Sequence, residues 1–550
     1  MAQQTPNTLK SKALSDLGAG KLPQALKKAQ LGIKKFPKDS DYQAIAGFVL
    51  TEMERYKQAV PHFAAASRMK PDEAQFVENL ANALMQTGQI PRALSYAEHK
   101  LQQFPGNKEL TRVIDEIQLK GQNWRLIIDH ASQKLATDPD NADLLASRAR
   151  AYGQIGYAQH CSEDISRAYE LAPENEDIAI RKAVDLHQTG DKGGSRLVLQ
   201  TVLDANPASA AALYQMSMIA NEKQSEQLAN AIEIAISHSD HSDSLLEFAK
   251  ANVTLTRDGL SAALPKFARA NAAQHDTNPY NFALEEKKQS DICNLFSADG
   301  PVVAADHDGA AKPIFVIGQP RSGTTLMELM LSSIPGVAGC GELMLGADLA
   351  QPFLDSGDPF DAKSASEFAQ EFRRLMPPIP NGTTAFVDKM PHNYQWMGFL
   401  LTAFPDARVI NMMRDPRDVG LSKWIRRFPE PGLRYASNLQ AIAHSATLYR
   451  RYMAHWDKLF GNRILTVSYE NLVADPETHS KSIAAFCGLD WDVQMIHPEQ
   501  NTKQVLTASV DQVRKKISTG SIGGWRDVAD HIQPLLEGLD PALWPEYTFD

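Results

Sequence analysis

In the second half of the chain, basic residues, hydroxyls and one glutamate fall at spacings that suit chemistry on a polyanion. Arg321-Ser322-Gly323-Thr324-Thr325 puts one cation and three hydroxyls at the end of a turn bounded by Gly318 and Gly323 and in the two residues that follow it. Arg414 and Ser422 stand eight apart, and Arg426 follows one helical turn later. With Arg408, Arg417, Lys423 and Arg427 they form a basic island in a chain of net charge −10. Arginine meets phosphate through a planar, bidentate fork. Glu342, preceded by Gly339 and Gly341, could take a proton, and Lys389 could balance charge building on an oxygen. His392 is a second candidate base. The blander readings are a solvated loop glutamate, a solvated lysine at a strand end and a solvated basic helix face.

These side chains need elements to place them. Ile314-Phe315-Val316-Ile317 is a short apolar run, bounded by Pro313 and Gly318, of the kind a strand buried on both faces shows. Leu326, Met327, Leu329, Met330 and Leu331 then recur at helical spacing. A strand, a tight glycine loop and a helix N-terminus make an anion site. The loop nearly matches the Walker A pattern, but Thr324 stands where that motif has its lysine, which argues against NTP hydrolysis. Phe386-Val387-Asp388, Arg408 to Met413 and Ile464 to Glu470 read as further strands. Asp415-Pro416 opens a helix after the second of these, with proline suited to a first turn.

Pro320-Arg321-Ser322-Gly323-Thr324-Thr325 after an apolar strand resembles the 5′-phosphosulfate loop of sulfotransferases, and its arginine resembles the tyrosylprotein sulfotransferase branch. The resemblance runs from about Pro313 to Arg526 and rests on several motifs in the right order. It implies 3′-phosphoadenosine 5′-phosphosulfate (PAPS) as sulfuryl donor, adenosine 3′,5′-bisphosphate as product, and no metal. It implies nucleotide binding by Arg321, Ser322, Gly323, Thr324, Thr325, Arg414, Ser422, Arg426, Tyr469 and Lys515. It implies catalytic roles for Glu342 as base, for Arg321 and Lys389 near the sulfuryl group, and for Ser509. Two departures stand out: Leu343 replaces a second glutamate, and Gly524 replaces a basic residue before Trp525. The eukaryotic members carry a membrane anchor, and no matching apolar run stands in this sequence, so Golgi placement is not expected to carry over.

The first half is a repeat array. Pro37, Pro71, Pro105, Pro139, Pro173 and Pro207 are spaced by 34, the tetratricopeptide period. Twelve residues before each stand Ala25, Ala59, Ala93, Ile127, Cys161 and Ser195; twenty-four before stand Ala13, Gly47, Ala81, Asp115, Ala149 and Ala183. Small residues let the two helices of a unit pack closely, and proline stops the second helix. Asp115 marks a weaker third repeat. Ser217 with Ala229, and Ala251 with Ala263, extend the register without the proline. About eight helical hairpins are expected, to roughly Ala273. The expected layout is an α-solenoid of tetratricopeptide repeats over 1–275, a connecting helix and linker over 276–312, and an α/β P-loop-like domain with a mostly parallel sheet over 313–550. Such a solenoid typically holds a protein or peptide partner. Because every nucleotide motif lies after Pro313, removing the array is expected to leave nucleotide affinity nearly intact.

At 550 residues the chain has room for two or more cores. Its acidity argues against general affinity for nucleic acid. Cys161, Cys293, Cys340 and Cys487 lie far apart, which supports neither a zinc site nor a disulfide framework and fits a reducing compartment. The stretch Met1 to Lys21 lacks an apolar core, and no transmembrane run is visible, so a cytoplasmic protein is expected. Three alternatives stay open: a P-loop kinase or NTPase, a tetratricopeptide scaffold with an inactive nucleotide-binding domain, and a sulfotransferase for a small molecule or glycan.

Overall fold

The computed structural model describes residues 5–53, 55–70, 73–87, 90–104, 110, 113–114, 124–238, 243–277, 279–297, 311–428, 431–501 and 516–549. Asp115, residues 298–310 of the expected linker, and both Ser509 and Lys515 lie outside them. The chain forms two compact units, Met1–Pro139 and Asp140–Asp550.

The first unit is helical hairpins: Pro6–Gly18 with Leu22–Lys35, Ser40–Glu52 with Tyr56–Met69, Ala74–Gln86 with Ile90–Gln103, then helix Trp124–Leu135. The small residues of the repeat sit where helices touch. Ala13, Ala25, Ala59 and Ala93 are all fully buried. A Cβ on Gly47 would lie 2.6 Å from the ring of Phe63, so the close approach excludes any larger residue there.

The second unit continues with hairpins Ala142–Gln154/Ala158–Leu171, Glu176–Thr189/Lys192–Ala205, Ala210–Ile219/Glu222–Ser237 and Ser244–Asp258/Leu260–Thr277. Helix Phe282–Leu295 follows, and then the α/β part. Its strands are β1 (Lys312–Gly318), β2 (Val337–Gly339), β3 (Ala385–Asp388), β4 (Arg408–Met413) and β5 (Ile464–Ser468). They form one sheet in the order β2-β3-β1-β4-β5, and every pairing is parallel. Along β1, Ile314 and Val316 join one core with Met327, Met330 and Ile410, while Phe315 and Ile317 join another with Phe386, Phe372 and Phe399. Alternate side chains enter opposite cores, which is why the strand is apolar throughout.

One sequence expectation changes. The strand expected to reach Glu470 stops at Ser468, whose hydroxyl accepts from the Asn471 N–H at 3.2 Å and starts helix Tyr469–Ala474. The short β2 has no counterpart in the sequence reading, because three residues carry no period. From β1 the chain goes first to one edge of the sheet, through β2 and β3, and later to the other, through β4 and β5. The crevice at such a reversal lies beyond the carboxyl ends of β1 and β4.

Candidate functional site

β1 ends at Gly318 with φ 145°, where a Cβ would meet Met412 O at 2.5 Å and Ser322 Oγ at 2.8 Å. The loop closes at Gly323, with φ 99°, where a Cβ would strike the Tyr469 ring at 2.5 Å. Both glycines are therefore required by conformation and by space. Between them Arg321 has φ 78°, the one positive φ outside glycine among the described residues. Such strain persists only where its surroundings hold it, and it collects at functional sites. Helix Thr324–Ser332 starts directly after the loop, so its first N–H groups face the crevice end of the sheet.

Arg321 is only 8% exposed. Its Nε donates to Ser422 Oγ at 3.0 Å, and its carbonyl accepts from Arg414 Nη1 at 3.1 Å. Arg414 follows β4, and Ser422 lies on the next helix, Pro416–Trp424. The structure thus joins the loop to both residues of the second basic motif. Arg414 also donates to Ser521 O at 2.5 Å and lies over the Tyr469 ring at 4.6 Å; the Tyr469 hydroxyl meets Ser521 Oγ at 2.9 Å. Burial, then the positive charges of Arg426 and Arg414, push the Arg321 guanidinium down to about 9. Ser322 Oγ and Arg414 Nε are buried with no hydrogen-bond partner. Cations gathered against their own repulsion, with two buried polar atoms left over, suit a polyanion that completes them.

The rest of the basic island divides. Lys423 is fully buried, donates to Gln319 Oε1 of the loop at 3.0 Å, and is pushed down to about 7 by desolvation. Arg417 forms a bidentate pair with Asp415, at 2.9 and 2.8 Å, and stacks between Trp525 and Phe549; it holds the fold. Arg408 starts β4, near Phe486, and so sits at the end of the strand away from the crevice. Residues close in sequence were separated by the length of a strand. Arg427 lies over Tyr214.

A second group sits beyond β2 and β3. Lys389 is fully buried and pairs with Glu342 Oε1; Glu328 Oε2 is 3.9 Å away. Glu342 keeps 42% of its side chain exposed, so the pair reaches the surface through the carboxylate. The segment carrying Glu342 is pinned on three sides: Gly341 N–H donates to Glu328 Oε1 at 2.8 Å, Lys389 N–H donates to Gly341 O at 2.8 Å, and Leu343 N–H donates to Asp388 Oδ1 at 3.2 Å. Burial pushes the Asp388 carboxyl up to about 8, against the bonds from Leu343 and Asn393. His392 belongs to a different contact: its Nε2 meets the Tyr435 hydroxyl at 3.0 Å. Desolvation, then Lys423 and Lys288, push its imidazole down to about 3, so it is neutral.

Sequence reading missed Glu328 and the pinning role of Asp388. Glu328 had one usable signal: it is the only charged residue of the helix Thr324–Ser332, and it stands four after Thr324. Asp418, also overlooked, accepts from Gly523 N–H at 2.7 Å and Trp525 N–H at 3.1 Å, anchoring the segment that brings Ser521 to Arg414. Among the described residues, no group of three or more His, Cys, Asp or Glu could hold a metal ion.

Residues 313–493 match the family model described as Sulfotransferase family. Relatives align over the same share of the chain. A protein of Aquifex aeolicus (strain VF5), described as uncharacterized, is 31% identical over 248 residues, 42% of this chain and 33% of its own length. Protein-tyrosine sulfotransferase A of Caenorhabditis elegans is 26% identical over 42% of this chain and 68% of its own length. The Drosophila melanogaster protein-tyrosine sulfotransferase is 27% identical over 42% and 53%. The chain therefore spans about a third of the Aquifex relative and about half of the Drosophila one. Among solved structures, the sulfotransferase domain of the Synechococcus PCC 7002 olefin synthase covers 42% of this chain and 95% of that one, at 22% identity and TM-score 0.32. A tetratricopeptide repeat protein of Parabacteroides merdae covers 52% and 97%, at 13% identity and TM-score 0.32.

Proposed function

From a sulfotransferase-family domain at residues 313–493, we propose that the protein moves a sulfuryl group from PAPS to an acceptor hydroxyl, with a protein tyrosine as acceptor. The observation that carries this reading is the joining of Arg321, Ser422 and Arg414 at the carboxyl ends of β1 and β4, beside the buried, partnerless Ser322 hydroxyl. In this reading the loop and the N-terminus of helix Thr324–Ser332 hold the 5′-phosphosulfate. Arg414, Ser422 and Arg426 hold the 3′-phosphate, and Tyr469 borders the nucleotide. Ser509 and Lys515 are assigned to the same site from sequence alone.

The acceptor oxygen attacks sulfur, the bond from sulfur to the bridging phosphate oxygen breaks, and the electron pair leaves on that oxygen as adenosine 3′,5′-bisphosphate. Arg321 and Lys389 stabilise the departing charge. The acceptor proton passes to Glu342. A phenol has pKa about 10, so a placed base is needed near neutrality. The ion pair with buried Lys389 holds the half-exposed Glu342 carboxylate in place at the surface of the site. His392 is not assigned this role, since its ring is engaged with Tyr435.

We assign the array to holding the polypeptide acceptor and the chain to the cytoplasm. The four cysteines lie far apart in the sequence, with no C-x-x-C pair, which supports a reducing compartment. Among the described residues no helix is long and apolar enough to cross a membrane. The test is a single-turnover assay with PAPS and a tyrosine-containing polypeptide. Sulfated tyrosine and adenosine 3′,5′-bisphosphate in equal amounts support the reading. Transfer that proceeds only to a small phenol or a sugar hydroxyl would move the acceptor to another class.

A further inference from the structure

The helix Pro416–Trp424 carries Ser422, and the residues just after it carry Arg426. How that end is held is unusual. Within the segment, Leu421 O accepts from Ile425 N–H at 3.1 Å and Lys423 O from Arg426 N–H at 3.0 Å. The next carbonyl, Trp424 O, accepts from Asn271 Nδ2 at 2.8 Å, and Phe428 O accepts from Gln274 Nε2 at 2.6 Å. Both amides belong to Leu260–Thr277, the last helix of the repeat array, and stand three apart on one face of it. Asn271 is 1% exposed and also donates to Phe267 O of its own helix at 2.9 Å, so its orientation is fixed. Between the two clamped carbonyls, Ile425 packs on the Phe248–Phe267 cluster of the array.

We propose that Asn271 and Gln274 are positioning residues for the 3′-phosphate site, so that the last repeat hairpin is part of the nucleotide site's frame. This rests on the nucleotide reading given above. The physical reason lies in the helix end: carbonyls at a C-terminus have no partner within the helix and must find one outside. Here the outside partners are two array side chains. They fix Trp424 and Phe428, and Arg426 lies midway between. On the other side Ser422, two residues before Trp424, accepts from Arg321. Freeing the two carbonyls would let Arg426 and Ser422 drift together, while the loop itself, which neither amide touches, keeps its own glycines and strand. On this inference, nucleotide affinity stays nearly intact on removal of the array only if the last hairpin is kept.

The test uses the full chain and two near-isosteric variants without the donor, Asn271→Leu and Gln274→Met. Calorimetry measures Kd for adenosine 3′,5′-bisphosphate and for adenosine 5′-monophosphate, with thermal unfolding as a check on folding. Each variant should weaken the bisphosphate by roughly fivefold, the scale of one hydrogen bond, and leave the monophosphate within about twofold. A merely structural role would weaken both alike, and that result overturns the inference, as does an unchanged ratio in folded variants. Should Asn271→Leu fail to fold, Gln274→Met, at a less buried position, decides the matter alone. If the wild type does not distinguish the two nucleotides, the nucleotide reading falls and this inference with it. If the wild type distinguishes them and the variants do so equally well, only this inference falls.

Discussion

Two arginines show how differently the array and the α/β part use buried charge. Arg148, in array helix Ala142–Gln154, donates to both oxygens of Asp164 on the following helix, at 2.7 and 2.8 Å, and that bond pushes its guanidinium up. Arg321 is more deeply buried and is pushed down, by burial and by two further arginines. The array closes its charge within the fold. The crevice collects like charges on a strained loop and leaves the Ser322 hydroxyl buried without a partner. Local rules are kept in the first case and broken in the second, and breakage of that kind marks where a ligand finishes the structure.

The comparison can be broken most forcefully at the proton. Glu342→Gln should cut single-turnover transfer by about 100- to 10,000-fold, the contribution of a placed acid–base group. Bisphosphate affinity should stay close to wild type, and His392→Ala should cost much less. A dead histidine variant beside a nearly normal glutamine variant would reverse the assignment.

Next is Arg414→Ala, which removes a charge-assisted contact and the tie to Arg321 O. A contact of this class contributes about 1.5–3 kcal/mol, so bisphosphate Kd should rise roughly tenfold or more. The paired variant in the array, Arg148→Ala, should do the opposite: it should lower unfolding stability by about 1–3 kcal/mol, because Asp164 loses its partner, and leave nucleotide Kd unchanged. Denaturant melts and calorimetry on both variants read the contrast. An Arg148 variant that loses nucleotide would erase it.

The smallest effect concerns Lys423. Its ordinary pKa is 10.5, and desolvation lowers it to about 7 in the folded protein. Between those values the unfolded chain binds the proton and the folded chain does not, so this lysine makes stability rise with pH across that window and imposes its full penalty below about 7. Lys423→Met should flatten that rise relative to wild type and gain most stability at acid pH. Chemical unfolding at a series of pH values measures it; an unchanged slope would mean the lysine stays charged when buried.

Much of this was legible in sequence, for reasons that differ between the two parts. The array repeats its packing every 34 residues, so Ala25, Ala59 and Ala93 announce one another, and all are fully buried. β1 was legible because a strand buried on both faces leaves an uninterrupted apolar run. β2 was not, because Val337–Gly339 is too short to show a period. The site divides the same way. Arg321, Arg414 and Ser422 lie in motifs, and the fold links them directly. Glu328 and Asp388 act through contacts made only when helix, β2 and β3 come together; the single local hint is that Glu328 is the one charge on its helix. Arg408 misled for the converse reason, since nearness along a strand becomes distance across the sheet. The hold of Asn271 on Trp424, between residues 153 apart in the chain, has no local signal at all.

The central claim is that the Arg321–Arg414–Arg426 cluster exists to hold a nucleotide with phosphates at both ends. Calorimetric titration of the wild-type chain with adenosine 3′,5′-bisphosphate and with adenosine 5′-monophosphate tests it most directly. Binding of the bisphosphate at least about tenfold tighter, as one charge-assisted contact to the 3′-phosphate requires, is the predicted result. Equal affinity for the two nucleotides would contradict it.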